Sequence, residues 1–91
     1  MIYVDPSGSA PGQLRGVVFS CHMFADTVDE LVAFAARIGL KREWLQGLGE
    51  KGRVPHFDLN EGKRWQAIRA GAVAVTREQA VAIWRSHSAT S

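Results

Sequence analysis

Within ten residues, Pro55-His56-Phe57-Asp58-Leu59-Asn60-Glu61-Gly62-Lys63-Arg64, the chain carries an imidazole, a carboxylate, an ammonium and a guanidinium. The stretch reads as a polar turn running into a helix, where backbone N–H groups have no intrahelical acceptor. His56 and Asp58 are two apart, which puts both side chains on one side of an extended segment. A carboxylate beside an imidazole orients it and raises its basicity, as general acid–base catalysis requires. Lys63 and Arg64 fall in the first turns of the helix. Cations there oppose the helix dipole, and with the backbone N–H groups they suit a phosphate or carboxylate. His22 stands between Cys21 and Met23, and Asp5 follows Ile2-Tyr3-Val4. The expected site is therefore His56, Asp58 and His22 as catalytic groups, with Lys63, Arg64 and Asp5 holding the ligand.

Each of these residues also has a purely structural use. Asp58 can cap the helix, a role worth about 1 kcal/mol. His56 can bond a backbone carbonyl, His22 can be a satisfied interior residue, and Lys63 and Arg64 can face water. His22, His56 and Asp58 together make a facial set of two imidazoles and one carboxylate. No close pair such as His-x-x-x-His accompanies them, so the expectation is no metal, and no cofactor is named. Gly47-Leu48-Gly49-Glu50-Lys51-Gly52 has two glycines at phosphate-loop spacing. Arg53-Val54 then replaces the required Lys-Ser/Thr and Pro55 follows, so a nucleotide P-loop is rejected. Lys51, Arg53 and Arg69 extend the basic patch around Lys63 and Arg64. A nearby Trp65 would suit stacked bases, but it also fits an apolar helical stripe and is expected in the core.

The elements that must position these groups can be read in order. Ile2-Tyr3-Val4 is a strand ending at Asp5-Pro6, and Ser7–Gly12 is turn material, expected to be a mobile loop. Val17-Val18-Phe19 is a short apolar run, a brief strand or a buried loop, and Ser20-Cys21-His22-Met23 leads towards the first helix. Thr27-Val28-Asp29-Glu30 has capping-box form, and Val28, Leu31, Val32, Ala35 and Ile38 make one apolar face. Gly39 supplies the helix stop. Glu43-Trp44-Leu45-Gln46 suggests a short strand. A second helix starts at Asp58 or Asn60, with Leu59, Trp65, Ile68 and Ala72 on its buried side. After Gly71, Ala72–Val75 reads as a buried strand. Thr76-Arg77-Glu78-Gln79 opens a last helix lined by Ala80, Val81 and Trp84, and Ser86–Ser91 is a polar tail. If Trp84 were exposed, it would mark a self-association surface and a homodimer. Helices feeding strands through glycine suggest βαβ crossovers. The expected fold is a small single α/β domain over residues 2–86 with a flexible tail at 87–91. Its sheet would be short, mainly parallel and about three-stranded, with about three helices and Rossmann-like layering. In such a sheet Asp5, His22 and His56 gather at the edge where strands feed helices.

Length and composition bound what this domain can be. The 91 residues, 46% of them hydrophobic, allow one domain with a modest core. One cysteine excludes an internal disulfide and leans towards a reducing compartment. No apolar run is long enough to span a membrane, and Met1–Asp5 has no signal-peptide pattern. A cytoplasmic protein is expected. A net charge of +2 is small for a dedicated nucleic-acid binder.

Several stretches together resemble a known family. They are Tyr3-Val4-Asp5, His22 with Ala25-Asp26 and Glu30-Leu31, Trp44-Leu45-Gln46, Pro55-His56-Phe57-Asp58-Leu59, and Lys63-Arg64 with Gly71-Ala72. Over roughly residues 2–76 the chain resembles the small bacterial and phage family catalogued as domain of unknown function 4031. Phe57 stands where the family pattern has Tyr, and Leu45 where it has Phe. The resemblance implies a compact single domain and directs attention to His22, His56, Asp58 and Lys63-Arg64. It brings no reaction. From the residues themselves, the expected function is an anion- or phosphate-binding site, phosphoester- or nucleotide-directed in an enzymatic form. The alternatives are a non-enzymatic module for nucleic acid or a protein partner, and an accessory subunit of a bacterial or phage assembly.

Overall fold

Cys21-His22-Met23-Phe24-Ala25 is not a lead into a helix but the longest strand of the main sheet. The computed structural model describes residues 1–10, 12–14, 16–49 and 54–90. Its order begins with β1 (Ile2–Val4), β2 (Gly12–Leu14), β3 (Val17–Phe19), β4 (Cys21–Ala25) and α1 (Val28–Arg37). A 3-10 turn (Arg42–Trp44), β5 (Phe57–Leu59), α2 (Glu61–Arg69), β6 (Val73–Ala74) and α3 (Arg77–Thr90) follow. Lys51 and Arg53, expected to extend a basic patch, lie outside the described residues, as do parts of the expected loops at Pro11 and at 50–52 and the tail residue Ser91.

Four strands form a mixed sheet in the order β5–β4–β1–β6. β4 pairs antiparallel with β1 and with β5, and β1 pairs parallel with β6. This corrects the expected three-stranded, mainly parallel sheet with Rossmann-like layering. The error has one source. Without β4, the visible strands are separated by helices and look like crossovers. With it, the chain turns back on β1 before any helix is made. β2 and β3 form a separate two-stranded ladder, and the expected mobile loop is tied down. Ala10 donates to the Ser20 carbonyl, and Ser7 Oγ donates to the Glu61 carboxylate.

Alternation along the strands gives the sheet two unlike faces. Ile2, Val4, Cys21, Met23, Phe57 and Leu59 point to one face and form the core with α1 and α2. α1 contributes Leu31, Phe34, Ala35 and Ile38; Thr27 Oγ1 accepts from the Glu30 N–H to start it. Burying a side chain such as Leu31 stabilises the fold by about 1.5–3 kcal/mol. The other face carries Tyr3, His22, Phe24 and Asp58. There the Trp84 ring of α3 meets Phe24 and His22 edge-on, at 5.3 and 5.8 Å between centroids. Trp84 is thus half-buried inside the molecule, not an exposed dimer marker.

The remaining differences are local. Glu43–Gln46 is not a strand: Arg42–Trp44 makes a 3-10 turn, and Gln46 forms an isolated antiparallel bridge with His56. α2 is capped by Asn60, whose Oδ1 accepts from the Lys63 N–H at 2.8 Å, so Asp58 does not cap it. Trp65 is 56% exposed instead of buried, and Ala67 takes the inward position. Thr76 and Gln79 bond each other reciprocally, the full capping box read from the sequence. α3 runs on to Thr90, past the Ser86 where the sequence ends it.

Candidate functional site

His22 and Asp58 are direct cross-strand partners in β4 and β5. Asp5 follows β1 and lies across from His22 on the opposite side, its N–H donating to the His22 carbonyl at 3.2 Å. A row Asp5–His22–Asp58 therefore runs across three strands. Cross-strand pairing, not a shared loop edge, brings these residues together.

Among the described residues Asp5 is the one charged side chain in the buried set, 1% exposed. Its Oδ1 accepts from the His22 backbone N–H at 2.7 Å, and its Oδ2 lies 2.7 Å from His22 Nδ1. A carboxylate has no hydrogen to give, so Nδ1 donates. Nε2 then points away from Asp5, towards Asp58 Oδ1 at 4.0 Å. His56 repeats the arrangement with another acceptor. Its Nδ1 donates to the Val54 carbonyl at 2.8 Å, and its Nε2 lies 3.7 Å from the same Asp58 Oδ1. The two imidazole rings meet edge-on, 5.3 Å between centroids. His22 Nε2, His56 Nε2 and Asp58 Oδ1 belong to a half-buried group whose ligand atoms lie within 4.8 Å of one another. Gln46 fixes the third member, its Nε2 donating to Asp58 Oδ2 at 2.8 Å. The Gln46 backbone also pairs both ways with His56, at 2.9 and 3.0 Å.

The roles expected from the sequence are redistributed. His22, His56 and Asp58 do come together. Asp58, however, does not orient His56; Asp5 orients His22. Asp5, expected to hold the ligand, spends both carboxylate oxygens on His22. Lys63 does not join the cluster: its ammonium donates to the Ile38 carbonyl at the end of α1, and to Gln66 Oε1 at 3.2 Å. Arg64 Nε donates to the Asp5 carbonyl at 3.1 Å. Both cations serve as ties between elements, so the anion cradle expected at the start of α2 is not assembled. Phe57 points into the core, 1% exposed, so a phenol at that position would face away from His56 and Asp58. Gln46 and Val54 were missed. Gln46 reaches its place through a bridge to His56 from another segment, which no local pattern announces, and Val54 contributes only a backbone carbonyl, which no side-chain type marks.

Cys21 is fully buried on the core face, across the sheet from His22. Burial, with the charge of Asp5, pushes its thiol up to about 12. It stays protonated and outside the site's chemistry. The cluster itself remains reachable: the side chains of His22, Asp58 and His56 are 26%, 22% and 14% exposed.

No helix of the described residues is long and apolar enough to cross a membrane. Searches of curated proteins and of solved structures find no match. A family model does match, over residues 2–87, and that span holds every residue of the cluster and each of its supports. The chain belongs to the family described as protein of unknown function (DUF4031).

Proposed function

We propose that this domain is a small hydrolytic enzyme whose centre is the His22/His56/Asp58 cluster, with Asp5 behind His22. The observation that carries the reading is the buried Asp5–His22 pair at 2.7 Å. A carboxylate kept out of water to hold one imidazole tautomer is costly unless it is paired, and it supports a basic Nε2 at a solvent-reachable face. Two such lone pairs beside a carboxylate suit the activation of a water molecule for attack on an ester or phosphoester. Hydrolysis of p-nitrophenyl acetate, p-nitrophenyl phosphate and bis-p-nitrophenyl phosphate tests this. Turnover of at least one of them should fall about 10²–10⁴-fold in His22→Ala. Turnover unchanged in that variant, or no turnover of any of the three, contradicts the reading.

A second reading has its own support. Trp44 and Trp65 are 49% and 56% exposed, and the Lys41 ammonium lies 5.6 Å from the Trp44 ring centroid. Exposed aromatic rings with cations suit stacked bases of single-stranded nucleic acid. That module would bind an oligonucleotide with steep salt dependence and lose affinity in Trp44→Ala, while His22→Ala would leave binding intact.

A further inference from the structure

Three ligand-type atoms, His22 Nε2, His56 Nε2 and Asp58 Oδ1, lie close together on the α3 side of the sheet. The separations from each Nε2 to Oδ1, 4.0 and 3.7 Å, exceed hydrogen-bond reach, so these atoms are not joined by a shared proton. They are close to what a common ion requires. Nitrogen and oxygen ligands about 2.1 Å from one metal stand about 3.0–3.4 Å apart. Side-chain shifts of about 1 Å close that difference for the two nitrogen–oxygen separations, and one ligand atom of each residue already lies within 4.8 Å of the others.

The stronger argument lies behind the ligands. Metal-bound histidines characteristically donate their other N–H to a carboxylate or a backbone carbonyl, and ligating carboxylates are themselves hydrogen-bonded. All three supports are present: Asp5 on His22 Nδ1, the Val54 carbonyl on His56 Nδ1, and Gln46 on the second oxygen of Asp58. An incidental surface cluster has no reason to carry a complete outer set. Two imidazoles and one carboxylate are borderline donors, suited to first-row transition ions more than to Mg2+ or Ca2+.

We propose that His22, His56 and Asp58 bind one divalent transition-metal ion, of the Zn2+, Mn2+ or Fe2+ class, through Nε2, Nε2 and Oδ1. Three protein ligands leave coordination positions for water or substrate, as catalytic sites require. The inference rests on the reading of this cluster as the functional centre, and it states what activates the water there. Asp5 and Gln46 are positioning residues, one shell behind the metal.

The test is calorimetric titration of the chelator-stripped full chain with Zn2+ and with Mn2+, with native mass spectrometry for stoichiometry. One ion per chain is expected, with a dissociation constant below about 10 µM for at least one of the two. His56→Ala and Asp58→Ala should each weaken binding at least about 100-fold, and Asp5→Asn about 10–100-fold. Thermal melting guards against misfolding: the metal should raise the midpoint of the wild type but not that of a folded His56→Ala variant. The proposal is overturned if neither ion binds saturably, or if folded variants bind as tightly as the wild type. Metal binding without hydrolysis of any substrate keeps this inference and removes the hydrolytic one. Hydrolysis that persists undiminished in metal-free protein keeps the hydrolytic reading and removes the metal's part in activating the water.

Discussion

Asp5 is the residue on which the site depends most, and its partner is 17 positions away. It satisfies both the backbone N–H and the Nδ1–H of His22. Asp5→Ala strands two donors in a dry environment and should lower unfolding stability by about 3 kcal/mol, measured by urea denaturation. Asp5→Asn keeps an acceptor oxygen and should cost about 1 kcal/mol by the same measurement. A second prediction concerns the opposite face at the same point of β4. With its thiol pushed up to about 12, chiefly by burial, Cys21 should resist iodoacetamide in the native protein at pH 8. It should react readily once urea exposes it. At this scale the sequence was informative about residue types. His22, His56, Asp58 and Asp5 could each be singled out by their chemistry. Which carboxylate served which imidazole could not, because adjacency in sequence suggested His56–Asp58 and the sheet paired Asp5 with His22.

At the scale of elements, capped helices were legible, as were the short strands β1 and β6, while β4 and β5 were not. Thr27 and Thr76 announce α1 and α3 through local hydrogen bonds, which are sequence-local by nature. β4 has no polar/apolar alternation, since Phe24 is as buried as its neighbours Met23 and Ala25. Such a strand, covered on both faces, carries no period-two signal. α2 misled in a different way. Its inward side holds Ala67 and the stems of Lys63 and Arg64, while the bulky apolar Trp65 faces water. Leu59, Ile68 and Ala72 do pack in or against the core as their hydrophobicity suggests, so Trp65 is the position at which that signal misleads. Two substitutions test that orientation. Lys63→Met keeps the stem but removes the ammonium from the carbonyl that ends α1, and should destabilise by about 1 kcal/mol. Trp65→Ala, at an exposed helix position, should change stability by no more than about 0.5 kcal/mol. Thermal or urea unfolding of the two variants side by side reads the difference.

For the whole molecule, the mixed sheet assigns a different task to each face. One face buries the apolar core against α1 and α2; the other holds a polar row partly covered by Trp84 of α3. The expected parallel sheet would have placed the site at strand ends. The observed antiparallel pairing places it on the flat of the sheet, where rigid cross-strand neighbours fix side chains more firmly than loops do. The central claim is that His22 and His56 each donate through Nδ1 to a fixed acceptor and turn Nε2 towards a shared carboxylate. Long-range 1H–15N correlation spectra of the imidazole nitrogens measure this directly, before and after one equivalent of Zn2+. Both Nδ1 atoms should carry hydrogen, and both Nε2 resonances should move on addition of the ion while the Nδ1 protons stay in place. An Nε2–H tautomer on either ring, or two rings indifferent to Zn2+, would contradict the account.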